Sequence, residues 1–90
     1  MGMKQKIMIV DDAEINRQIL MAILGDKYEY VQAENGCQAV HMLQHDLTID
    51  LILLDINMPE MNGFQMLERM NKFHWIDEIP VIMISSEEKR

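Results

Sequence analysis

The stretch LILLDINMPEMNG, which runs from Leu51 to Gly63, joins an apolar run to a carboxylate and a loop. Its first four residues are apolar, which is typical of a strand that is buried on both faces in a parallel sheet. The apolar run ends in a carboxylate at Asp55, and the Met-Pro and Asn-Gly pairs that follow favour a turn and a loop. We therefore expect a buried strand over Leu51–Leu54 with an acidic side chain at its end.

Similar apolar runs lie on both sides of this stretch, and helical patterns separate them. The additional strand candidates are Ile7–Val10, Tyr28–Ala33 and Val81–Ile84. The helix candidates are Ala13–Leu24, Gly36–Gln44 and Phe64–Phe73. Strands and helices that alternate with short links form right-handed crossovers, which place helices on both faces of a parallel sheet. The predicted fold class is therefore α/β with a doubly wound parallel sheet.

Each helix candidate has an apolar face. The first helix, which is expected to end at Gly25, has its main apolar stripe at Ile15, Ile19, Ala22 and Ile23. Leu20 and Leu24 lie off this stripe. The second helix, with Asn35 as its expected N-cap, has an apolar face at Gly36, Ala39, Val40 and Leu43. In the third helix we expect Leu67 and Met70 to point inward.

Composition limits the classes of protein to which the chain can belong. The 90 residues suffice for one domain with a modest core that buries somewhat over ~60% of the unfolded surface. The net charge of −7 and the pI near 4.7 argue against nucleic acid and membrane surfaces as partners. The single cysteine, Cys37, cannot form an internal disulfide, and no apolar segment approaches the ~18 residues of a spanning helix. We expect a cytoplasmic location.

Three carboxylates follow predicted strands. Asp11 and Asp12 come after the first strand and Asp55 after the third, and the carboxyl ends of parallel strands meet at one edge of a sheet. Like charges at close range raise one another's pKa unless a cation compensates, and Mg²⁺ prefers oxygen ligands of this kind. A carboxylate beside such an ion can also attack phosphorus. The pattern therefore predicts a Mg²⁺ site at which an aspartyl phosphate can form.

A simpler interpretation exists for each acid alone. Asp12 is a suitable N-cap for the first helix, and Asp55 is a suitable first residue of a turn. Neither role explains why two acids follow the first strand or why the apolar run of the third strand ends in a carboxylate.

The motifs together resemble the receiver domain of two-component response regulators. They are VDD at 10–12, LLDINMP at 53–59, NG at 62–63 and IPVIMIS at 79–85, and the match is collinear from Lys6 to Ser86. The resemblance implies a flavodoxin-like fold and a phosphoryl group carried by Asp55. It also implies that the phosphoryl group comes from a sensor histidine kinase or a phosphotransfer protein.

The same resemblance assigns roles to individual residues. Asp12 would bind Mg²⁺ directly, Asp11 mainly through water, and Asn57 through its backbone carbonyl. The hydroxyl of Ser85 would bond the phosphoryl group. Asn57 and Glu87 match the two positions that set the lifetime of the phosphoryl group in this family, and because both are polar we expect a short lifetime.

Met58-Pro59 and Gly63 match the loop that shapes the site in this family. Proline fixes φ at its position, and glycine allows a close approach of the backbone.

A complete receiver continues with a fourth helix, a fifth strand ending in a lysine, and a fifth helix. Residues 1–90 are therefore expected to form a partial receiver domain, with four strands and three helices and with impaired phosphorylation. The fourth strand would be an exposed, uncharged sheet edge. Together with Leu20 and Leu24, this edge predicts a homodimer or larger assembly.

Two other functions remain as alternatives. One is a phosphohydrolase of the haloacid-dehalogenase type, although that family has a second aspartate where this chain has Asn57. The other is an inactive, self-associating fragment.

A separate group of possible metal ligands lies on the second helix. Cys37, His41 and His45 are spaced by four, a spacing that could hold a soft metal but that more often forms a solvated flank.

Overall fold

The computed structural model describes residues 4–46, 48–58, 62–74 and 78–84. Strands and helices alternate along these residues, as predicted, and each end lies within one residue of the predicted bound. The elements are β1 (Lys6–Val10), α1 (Glu14–Leu24), β2 (Glu29–Ala33), α2 (Gly36–His45), β3 (Leu51–Asp55), α3 (Gly63–Lys72) and β4 (Val81–Ile84).

The four strands form one parallel sheet in the order β2-β1-β3-β4. The chain moves outward from β1 to β2, then returns to β3 on the other side of β1 and continues to β4. The order therefore reverses between β1 and β3, and Val10 of β1 is in register with Leu54 of β3. This arrangement confirms the flavodoxin-like, doubly wound fold, with four strands and three helices among the described residues.

Helices cover both faces of the sheet. Because alternate strand residues point to opposite faces, the strands contribute to two separate apolar clusters. Ile7 and Ile9 of β1 and Leu53 of β3 form a small cluster, against which apolar residues of α1 pack. The opposite face carries the larger cluster, to which α2 and α3 contribute. The buried residues of this larger cluster are Met8, Val10, Ala33, Ala39, Val40, Leu43, Ile49, Ile52, Leu54, Met58, Met66, Met70 and Ile79.

Helix α1 faces the sheet with a different stripe from the one predicted. Ile15, Ile19 and Ile23 are 65%, 49% and 73% exposed. The residues that contact the sheet are instead Leu20, Met21 and Leu24. Both stripes are apolar, so periodicity could not choose between them. The expectation that Leu20 and Leu24 form an exposed surface is wrong, and the exposed apolar stripe of α1 is that of the isoleucines.

The predicted faces of the other two helices and the predicted cap of α2 are confirmed. Gly36, Ala39, Val40 and Leu43 of α2 are buried. The Asn35 side chain caps α2 by accepting a hydrogen bond from the Gln38 backbone N–H over 2.7 Å. In α3, Met70 is buried and Leu67 is partly buried against the core. Asn62 and Gln65 form a reciprocal capping box at the start of α3.

None of the helices in the described ranges combines the length and the apolar character that crossing a membrane requires.

Candidate functional site

Three carboxylates meet at the carboxyl edge of the sheet, between β1 and β3. One oxygen from each of Asp11, Asp12 and Asp55 lies within 4.8 Å of the others. The register of the sheet brings Asp11 and Asp55 together, because they directly follow Val10 and Leu54, which are paired. Asp11 and Asp55 are 3% and 2% exposed, whereas Asp12 is exposed to solvent. The structure thus brings together the three acids that the sequence singled out.

Local hydrogen bonds hold two of these side chains in place. The Asp11 Oδ1 accepts from the Ala13 backbone N–H over 2.9 Å, and the Asp55 Oδ1 accepts from the Asn57 backbone N–H over 3.2 Å. Each acid therefore forms a turn with the residue two positions later. The turn interpretation of Asp55 is confirmed, and it is compatible with membership of the acidic cluster.

The cap interpretation of Asp12 is wrong. Ala13 occupies the N-cap position of α1, and no side chain caps the helix there. Asp12 is left exposed beside the two buried acids, where an ion could reach all three.

Electrostatics at this edge favour a cation. Burial raises the pKa of the Asp11 carboxyl, and the nearby Asp55 and Asp12 carboxylates raise it further. The Ala13 N–H and the Asn16 side chain act in the opposite direction, because their hydrogen bonds stabilise the charged form. A positive ion at the cluster would offset both the energetic cost of burying the charged carboxylates and the repulsion between them.

The chemistry of the donor set fits Mg²⁺. The acids offer only oxygen donors, and the exposed Asp12 leaves one side of the cluster open to water, which Mg²⁺ retains when it binds. Asn57, the predicted carbonyl ligand, lies on the exposed side of the loop that follows Asp55.

Arg17 is a residue of this site that the sequence interpretation missed. It is only 7% exposed, and its Nη1 donates to the backbone carbonyl of Asp11 over 2.7 Å. Its Nε donates to the Gln32 side-chain oxygen over 2.9 Å. Arg17 therefore joins α1 to the ends of β1 and β2, directly behind the acidic cluster. The signal for this role is its spacing, because Arg17 lies one turn before Leu20 and Met21 on the face that contacts the sheet.

Gly63 is required where the loop returns to the sheet. A Cβ at this position would lie 2.9 Å from the Asp55 carbonyl oxygen and 2.9 Å from the Ile56 Cα. The Gly63 N–H donates to the Ile56 carbonyl over 3.1 Å, which holds the backbones together. The predicted close approach at Gly63 is confirmed.

The end of β4 lies alongside the end of β3. Asp55 is in register with Ile84, and the Ile56 N–H donates to the Ile84 carbonyl over 3.0 Å. The predicted site residues Ser85 and Glu87, and Pro59 of the loop, lie outside the described residues.

Comparison with known proteins places the chain among bacterial, archaeal and plant receivers. The profile of the response regulator receiver domain matches residues 7–90. The two-component response regulator ORR3 of Oryza sativa is 34% identical over 82 residues, which cover 90% of this chain and 63% of that protein. The chain therefore spans less than two thirds of that relative.

Solved structures agree with this result. The chemotaxis protein CheY4 of Vibrio cholerae superposes with a TM-score of 0.83 at 30% identity, over 97% of this chain and 72% of that one. The N-terminal domain of a response regulator receiver protein from Methanoculleus marisnigri gives 0.81 at 29% identity, over 94% of this chain and 69% of that one.

Proposed function

Because the chain belongs to the response regulator receiver domain family, we propose that it is a signalling phospho-acceptor. In this proposal Asp55 receives the phosphoryl group, and a sensor histidine kinase or a phosphotransfer protein supplies it. One observation carries the proposal: Asp55 ends β3 with Asp11 and Asp12 at its side, and their oxygens lie within 4.8 Å of one another. The chain acts as a regulatory acceptor and has no turnover substrate of its own.

The transfer forms one bond and breaks another. An Asp55 carboxylate oxygen attacks the phosphorus of a phosphohistidine, the phosphorus–nitrogen bond breaks, and the donor imidazole leaves with the electron pair. The product is an acyl phosphate. The Asn57 N–H on the Asp55 Oδ1 and the pairing of Asp55 with Ile84 hold the nucleophile in place for this attack.

The acidic cluster would hold Mg²⁺ during the transfer. Asp12 would bind the ion directly, Asp11 mainly through water, and Asp55 and the Asn57 carbonyl would complete the protein ligands. When bound, the ion neutralises charge on the phosphoryl oxygens as the anionic carboxylate approaches them. Arg17 supports the same arrangement by fixing the Asp11 backbone.

Ser85, Asn57 and Glu87 are proposed to act on the phosphoryl group itself. The Ser85 hydroxyl would donate a hydrogen bond to the phosphoryl group. Asn57 and Glu87 would help to place the water that removes the phosphoryl group, so the acyl phosphate would be short-lived. A phosphoryl lifetime of many hours in the intact protein would contradict this part of the proposal.

The proposed setting is the cytoplasm, and the proposed partners are proteins. The net charge of −7 supports the choice of protein partners, because an acidic chain is repelled by nucleic acid and by anionic lipid.

We also propose that a second copy of the chain pairs with the edge of β4. This strand pairs with β3 and has no other strand neighbour among the described residues. The VIMI sequence carries no charge, and Ile82 is 52% exposed. Light scattering as a function of concentration tests this, with Ile82→Lys expected to shift the chain towards monomer because lysine protects sheet edges. A monodisperse wild-type monomer at high concentration would contradict the assembly.

Intact-mass spectrometry with acetyl phosphate tests the proposed function. With Mg²⁺, the wild type and the control Glu68→Gln, which changes an exposed acid on α3, should gain one phosphoryl group. Asp55→Asn should gain none. Steady release of phosphate from many substrates would instead support the phosphohydrolase alternative, which neither the family match nor the site favours. The absence of any adduct would support an inactive fragment.

A further inference from the structure

We propose that His41 and His45 form a second metal site, on the exposed side of α2, for a divalent transition ion such as Zn²⁺. The site is separate from the acidic cluster and differs from it in chemistry. Its donors are imidazole nitrogens, which suit Zn²⁺, Ni²⁺ and Cu²⁺, whereas the carboxylates at the sheet edge suit Mg²⁺.

The two imidazoles already lie close together. His41 and His45 are one helical turn apart, so their side chains project from the same flank of α2. Their ring centroids are 4.8 Å apart with an interplanar angle of 49°. Both residues are exposed, and the opposite side of α2 supplies Ala39, Val40 and Leu43 to the core. An ion can therefore reach both rings without any change in the core.

A hydrogen bond sets the tautomer of the His45 ring. The His45 Nδ1 lies 3.0 Å from the backbone carbonyl oxygen of His41. A carbonyl oxygen only accepts, so the proton of this bond must be on Nδ1. In the neutral ring the Nε2 then carries the lone pair that binds a metal. Metal-binding histidines commonly have their other ring nitrogen bonded to a carbonyl in this way, because the bond fixes the tautomer and the ring orientation.

Two protein ligands leave coordination positions open on the ion. Cys37 is exposed one turn before His41, but its thiol does not join both imidazoles in one cluster: among the described residues, only the three aspartates gather three such ligands. Water would fill the open positions, so we expect the site to be weaker than a closed structural zinc site.

Calorimetric titration with Zn²⁺, in excess Mg²⁺ to occupy the acidic cluster, tests the proposal. His41→Gln and His45→Gln should each lower the affinity by about tenfold or more, because the second imidazole binds as an intramolecular ligand. His74→Gln is the matched control, since His74 is the third histidine and lies outside α2, and it should bind as the wild type does. Circular dichroism checks that each variant is folded.

Nuclear magnetic resonance of the imidazole nitrogens gives an independent result. Zn²⁺ should shift the His45 Nε2 signal and leave Nδ1 protonated. Equal Zn²⁺ affinity in the wild type and in both α2 variants, or no shift of the His45 nitrogen at saturation, would overturn the proposal.

Discussion

Arg17 and Asp11 are joined by a buried hydrogen bond in which the Arg17 Nη1 donates to the Asp11 backbone carbonyl over 2.7 Å. The bond attaches α1 to the carboxyl end of β1. Because Arg17 also donates to Gln32, it fixes the rotation of the helix about its axis. This anchor explains why Leu20 and Leu24, rather than the isoleucine stripe, contact the sheet.

Arg17→Met should destabilise the fold by about 1–3 kcal/mol, because it leaves the buried Asp11 carbonyl without this donor. Gln18→Met is the matched control: Gln18 is exposed, and its change should stay within about 0.5 kcal/mol. Urea unfolding followed by circular dichroism measures both. Equal free energies of unfolding for the two variants would contradict the role given to Arg17.

Asp11→Asn should stabilise the metal-free protein, on the order of 1 kcal/mol, because it removes a buried charge next to two like charges. The amide oxygen can still accept from the Ala13 N–H. The same change should reduce the stabilisation by Mg²⁺, which in the wild type would be about 2.7 kcal/mol at 100 times its Kd. Thermal unfolding with Mg²⁺ and with a chelator separates the two effects. A variant that is less stable without metal and equally stabilised by Mg²⁺ would contradict the role of Asp11 in the metal site.

Gly63→Ala should cost about 1–3 kcal/mol, because the added methyl meets backbone atoms of Asp55 and Ile56 that cannot move separately from β3. It should also displace Asp55 and weaken Mg²⁺ binding. Phe64→Ala, which truncates an exposed side chain in the same helical turn, is the control and should leave Mg²⁺ affinity unchanged. Calorimetric titration with Mg²⁺ compares them, and unchanged affinity in Gly63→Ala would show that the close approach does not position the site.

Asp46 should make stability depend on acid pH. Hydrogen bonds from Thr48, followed by Lys6, lower the pKa of its carboxyl from 3.8 to about 2. The folded chain then binds fewer protons than the unfolded chain, so the stabilisation is complete above the ordinary pKa and is lost as the pH falls towards 2. The difference in free energy of unfolding between the wild type and Asp46→Asn should therefore be largest near neutral pH and shrink with acid. Urea unfolding at a series of pH values measures it, and a constant difference would contradict the assignment.

The acidic cluster could be predicted because its position depends on a simple rule. Strands that are apolar on both faces belong to parallel sheets, and their carboxyl ends share an edge. In the flavodoxin-like strand order the first and third strands are also neighbours, so Asp11 and Asp55 were expected to lie close together. The close approach at Gly63 followed from the resemblance to receivers and from the lack of a side chain.

The rotation of α1 could not be predicted in the same way. The helix has two apolar stripes, and the choice between them depends on the hydrogen bonds of Arg17 with Asp11 and Gln32. Such tertiary contacts leave no periodic signal. The convergence of His41 and His45 likewise depends on side-chain conformations, which spacing alone does not determine.

We propose that Asp55 carries the phosphoryl group, and the chemistry of an acyl phosphate allows a direct test. Borohydride reduces an acyl phosphate to an alcohol, so a phosphorylated aspartate becomes homoserine. After incubation with Mg²⁺ and acetyl phosphate, reduction and peptide mapping by mass spectrometry should find homoserine at position 55 and unmodified aspartate at positions 11 and 12. Homoserine at position 11 or 12 instead, or a phosphoryl adduct that forms while Asp55 stays unreduced, would contradict the assignment of Asp55 as the phospho-acceptor.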